Sequence, residues 1–68
     1  MAHIYIYDKE NNLPVAEAKD EAALFQIKQV TSPCKFEQEY FVMNVQEKVN
    51  VDDYIGFYPA DWQPYIVE

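Results

Sequence analysis

Residues 20–30 are the one stretch of this chain that reads as a helix, and they constrain everything else. Asp20 is a good N-cap, because its carboxylate can accept from the free backbone N–H groups two or three residues on. Glu21 adds negative charge at the positive end of the helix dipole, and Lys28 suits the opposite end. Between them stand no glycine and no proline. Ala23, Leu24, Ile27 and Val30 share one helical face and are expected to be core. Ser32-Pro33 is expected to end the helix, because proline biases the residue before it away from helical angles. A helix this short is marginal alone in water. It must pack on something, and strands are the only other material the chain offers.

Residues 3–7 alternate, with Ile4 and Ile6 on one face and His3, Tyr5 and Tyr7 on the other, which predicts a strand whose aliphatic side meets the helix. Tyr5 and Tyr7 would then stand on the opposite, more exposed face. Residues 8–12 form a polar turn, in which Asn11 and Asn12 tolerate left-handed angles. Residues 13–18 complete a hairpin, with Pro14 at its start or on an edge. Residues 31–35 read as a loop. Residues 36–51 are the longest strand-like region, with Phe41, Met43 and Val45 as the expected core face, and 37–39 as a turn or the frayed start. Asp52 and Asp53 could cap a helical turn or close a loop. Gly56, the only glycine, marks a bend, and 65–67 could supply a last strand. The expected fold is α+β: one domain, 1–68, with a small antiparallel sheet of three to five strands and one helix, about 20–31, packed on one face.

A chain of 68 residues buries only about 60% of its unfolded surface. Its single cysteine, Cys34, excludes an internal disulfide and fits a reducing compartment. Six tyrosines, four phenylalanines and one tryptophan supply the apolar payload instead. Twelve acids against five basic residues, all lysine, give a net charge of −7. Without arginine, direct nucleic-acid recognition and attraction to anionic membranes are not expected. Such acidity points to a basic protein surface as partner, or simply to solubility. No apolar run is long enough to span a bilayer. The first residues do not read as a signal peptide, so the expected location is the cytoplasm of the host cell.

Enzyme chemistry is not expected. One glycine cannot build a phosphate loop. His3 and Cys34 stand alone, with no metal-ligand spacing, so no cofactor and no metal are expected. Adjacent Asp52 and Asp53 point apart in most backbones. The 54–65 stretch is the most unusual, since its aromatic residues are interleaved with Asp52, Asp53 and Asp61. Tyrosine and tryptophan dominate interface hot spots, and carboxylates around them steer a basic partner. One helix and a small sheet should leave some of these rings exposed. The outer sheet face, with Tyr5, Tyr7, Glu37, Glu39 and Glu47, is a second candidate surface, whose acids could imitate nucleic-acid phosphates. The expected contact residues are Tyr5, Tyr7, Glu37, Glu39, Asp52, Asp53, Tyr58, Asp61 and Trp62.

In its small size, its acidity, its paucity of cysteine and the entry of a strand into a lone helix through residues 15–23, the chain resembles small accessory proteins of phages and mobile elements, anti-CRISPR proteins among them. That resemblance implies a non-enzymatic inhibitor, monomeric or homodimeric, that binds a Cas effector subunit and blocks its basic nucleic-acid-binding surface. It carries over no individual residue. The alternative is a small structural or regulatory subunit of a phage or bacterial complex, such as a homodimer that uses its sheet edge.

Overall fold

A computed structural model of the chain describes residues 3–55 and 58–67. The expected bend at Gly56, and Phe57 beside it, lie outside the described residues. The fold is α+β, with three antiparallel strands, β1 (His3–Asp8), β2 (Leu13–Ala18) and β3 (Tyr40–Val45), in the order β2-β1-β3. Two helices, α1 (Glu21–Thr31) and α2 (Pro33–Glu39), stand between β2 and β3 in sequence.

The β1–β2 turn is held by Asp8, whose Oδ2 accepts from the Asn11 backbone N–H at 3.1 Å and from Asn11 Nδ2 at 2.7 Å. Asn12 takes the left-handed conformation, φ 56°, that asparagine tolerates better than most residues. Helix α1 starts as its sequence dictates, with the Ala23 N–H donating to Asp20 Oδ1 at 2.7 Å. Ala23, Leu24 and Ile27 are buried, whereas Val30 is 44% exposed and lies outside the core. Proline 33 does end α1, and Ser32 is driven to φ 90°, ψ 126°. The chain then becomes helical again, because proline is well suited to the first helical position, where its missing N–H would have no partner anyway. The expected loop at 31–35 and turn at 37–39 are thus mostly a second helix, which buries Phe36.

The core lies between the helices and one sheet face. Ile4, Ile6, Ala16 and Ala18 meet Leu24, Ile27, Phe36, Trp62 and Ile66 there. In the ladder Val42 lies opposite Ile6 and Tyr40 opposite Asp8, and both pack against this core. Phe41, Met43 and Val45 therefore face the other way, beside Tyr7, Tyr5 and His3, which reverses the expected core face of β3. Alternation alone could not decide this, since Tyr40 and Val42 are as apolar as their neighbours.

The remaining chain forms a belt. Leaving β3, it crosses the outer sheet face, where the Val49 N–H donates to the Tyr5 hydroxyl at 2.7 Å. The Tyr54 ring meets Tyr5 edge-on at 6.2 Å. A 3-10 turn at Val51–Asp53 lies between these two contacts, and after Tyr54 the Ile55 N–H donates to the Pro14 carbonyl on β2. A second 3-10 segment, Ala60–Tyr65, lies against α1. Ile66 bridges to Ala18, with the Lys19 N–H donating to the Tyr65 carbonyl and the Val67 N–H to the Glu17 carbonyl. The strand expected at 65–67 is this short pairing along the outer edge of β2.

Candidate functional site

The belt decides where the expected contact residues go. Tyr5 is fully buried beneath it, a correction of its expected place on an exposed face. Its hydroxyl serves as an acceptor for the backbone. Trp62 is likewise fully buried, between Phe36 and Tyr40, and its Nε1 donates to Thr31 Oγ1 at 2.7 Å. It is a core residue and not the contact expected. Tyr7 is half-buried and stacks on Phe41 at 5.2 Å. Glu37, Asp52, Asp53 and Asp61 are exposed, on α2 and the two 3-10 segments.

Of the nine, Glu37 lines one groove with Lys9 and Lys28, while Glu39 and Tyr58 come together in a separate concave feature. A groove of about 430 Å³ opens at the β1–β2 turn end of the sheet, lined by Asp8, Glu10, Glu39, Tyr40, Ile55 and Tyr58 among others. Its elements are far apart in sequence. The turn supplies Asp8 and Glu10, the α2–β3 junction supplies Glu39 and Tyr40, and the belt supplies Ile55 and Tyr58. The Lys9 N–H donates to the Glu39 carbonyl at 3.0 Å and fixes the turn to that junction. Burial, and then the neighbouring Glu39 and Asp8 carboxylates, hold the Tyr40 phenol above its ordinary pKa of 10.0. Glu39 has one weak ion pair, 3.9 Å from Lys35 on the same helix, of the exposed kind worth little. No lysine lines the groove. Asp8 and Glu10 were legible only as turn residues, because what makes them a wall is the return of the belt.

A second polar cluster sits under the belt at the other end of the sheet. Glu17, on the outer face opposite Tyr5, is buried, and its Oε2 meets His3 Nδ1 at 2.8 Å. Its Oε1 is buried with no protein partner. Burial first, then Tyr5 and the Glu17 carboxylate, hold the Tyr54 phenol well above its ordinary pKa. His3 is committed to this pair, and Cys34 is exposed on α2. Among the described residues no group of three His, Cys, Asp or Glu could hold a metal ion. Among them, too, no helix is long and apolar enough to cross a membrane. Comparison with protein-family models, characterised proteins and solved structures returned no match.

Proposed function

We propose that this protein is a non-enzymatic inhibitor that binds a basic protein surface and occludes it. A nucleic-acid-binding face of a CRISPR effector complex is the kind of target that the resemblance of the chain implies. The observation that carries this reading is the groove in which Asp8, Glu10 and Glu39 surround Tyr40 and Tyr58 with no cation among the lining residues. Carboxylates on a half-apolar wall suit lysine and arginine side chains, whose alkyl stems pack while their charged heads stay at the rim. The exposed Glu37, Asp52, Asp53 and Asp61 extend the same field and would raise the association rate. The contact set is thus Glu39 and Tyr58, joined by Asp8, Glu10 and Tyr40, with Tyr5 and Trp62 removed.

The test is capture from a host lysate on the immobilised chain at low and then high salt, with mass spectrometry of what is held. The reading requires a basic protein retained at low salt and released at high salt. It also requires that the double variant Glu10→Lys, Glu39→Lys retain it at least about tenfold less well, a loss of about 1.4 kcal/mol. Equal capture by wild type and variant overturns the assignment of the groove.

A further inference from the structure

The acidic groove continues the row of β1 side chains that faces the helices. Ile4 and Ile6 are buried in that row, and the next position in it, where an apolar residue would extend the core, holds Asp8. Asp8 lies opposite Tyr40 in the ladder. Its Oδ2 is taken by Asn11, which leaves Oδ1 for another donor. The Tyr40 phenol, held up first by burial, also feels both Glu39 and Asp8, so the two carboxylates bear on one point. Val15 and Ile55 put apolar surface beside them. The lysines nearest in sequence do not fill the groove. Lys9 stands between Asp8 and Glu10, yet its Nζ donates to the Glu37 carbonyl, in the separate groove. Lys35 stays 3.9 Å from Glu39, with both side chains exposed.

Taking this groove as the contact surface proposed above, we infer that the group it accepts from its basic partner is an arginine side chain and not a lysine. A lysine ammonium is a compact, strongly hydrated point charge that gains little from a wall of rings. A guanidinium is flat, more weakly hydrated and carries five N–H donors in a fan. It can lie along the Tyr40 and Tyr58 rings, as guanidinium groups do on aromatic faces. In the same position it can donate to Asp8 and Glu39, whose carboxylates come from different segments. The alkyl stem then packs on Val15 and Ile55, and exposed Glu10 adds charge at the rim.

NMR titration of the full chain at low salt tests it, with three short glycine-serine peptides that differ only in a central arginine, lysine or citrulline. The arginine peptide should shift the amides of Asp8, Glu39, Tyr40 and Tyr58, and bind at least about fivefold more tightly than the lysine peptide. The citrulline peptide, which keeps the shape and loses the charge, should shift none of them. Glu39→Gln, at an exposed position, should keep the circular dichroism of wild type and weaken the arginine peptide at least about threefold. Glu21→Gln, the same loss of charge at an exposed position on α1, should leave it unchanged. Equal affinity for arginine and lysine overturns the inference, as do shifts confined to other residues or no binding at all. If any of these is found while Glu10→Lys, Glu39→Lys still lowers capture from lysate, arginine falls and the inhibitor reading stands. If the arginine peptide binds as expected while capture is equal for wild type and that double variant, the inhibitor reading falls and the guanidinium site stands.

Discussion

His3 and Glu17 show how much one contact can decide in a small domain. Glu17 is a buried carboxylate, and the His3 ring is the hydrogen-bonding side chain that reaches it. Removing one partner of a buried polar pair costs more than the pair contributes, because the other is left without its bond. His3→Ala is expected to destabilise the fold by about 1–3 kcal/mol, nearer the lower end because the imidazole is itself partly open to solvent. Adding Glu17→Leu to His3→Ala should recover part of that loss in urea unfolding. If the double variant is as unstable as the two single losses added together, the stranded carboxylate is not the cause. A 68-residue domain has roughly 3–10 kcal/mol of stability in total, so the effect should be plain.

Among the elements, α2 teaches most about what a sequence conceals. Residues 20–31 declare their helix through cap, charge and period, and the first two strands declare themselves by alternation. Pro33 gives two signals at once, a stop for the helix before it and a good first residue for a helix after it. Read as a stop alone, Pro33 hides the helix of Pro33–Glu39. Likewise β3 was legible as a strand but not as to its buried face, which the pairing with β1 determines. The groove was legible only in Glu39 and Tyr58, because its walls come from three distant segments. The junction between the helices carries a prediction of its own. Ser32 at φ 90° and ψ 126° sits where glycine is at ease and a side chain is strained. Ser32→Gly is expected to raise stability by about 1 kcal/mol. Ser32→Val should lower it, and chemical denaturation of both variants checks the order. Equal midpoints would mean that the junction stores no strain.

At the scale of the whole molecule, Tyr5 and Trp62, expected to be on the surface, are buried because residues 49–55 and 58–67 are themselves a wall of the core. They cover Tyr5 on one side of the sheet and deliver Trp62 to the other. This arrangement makes the fold sensitive to alkali. Tyr40 and Tyr54 both hold their protons more tightly when folded, from burial first. The unfolded chain loses them near 10.0, the folded chain only above it. Their contribution is therefore constant below pH 10.0 and falls as the pH rises from there through the raised values. Thermal midpoints should hold below that pH and drop above it, and Tyr54→Phe should make the drop shallower. An unchanged slope in Tyr54→Phe would show that other groups govern the alkaline limb.

The bridge from Ile66 to Ala18 has a consequence for how the chain is made on the ribosome. Synthesis delivers the β1–β2 hairpin first, and then the two helices and β3. Throughout that time the outer edge of β2 has no partner and the space beneath α1 has no indole. Ile55 closes the Pro14 end of that edge, and residues 62–67, which emerge after it, close the rest and supply the indole. The outer edge of β2 therefore stays open to other nascent chains until those residues clear the exit tunnel.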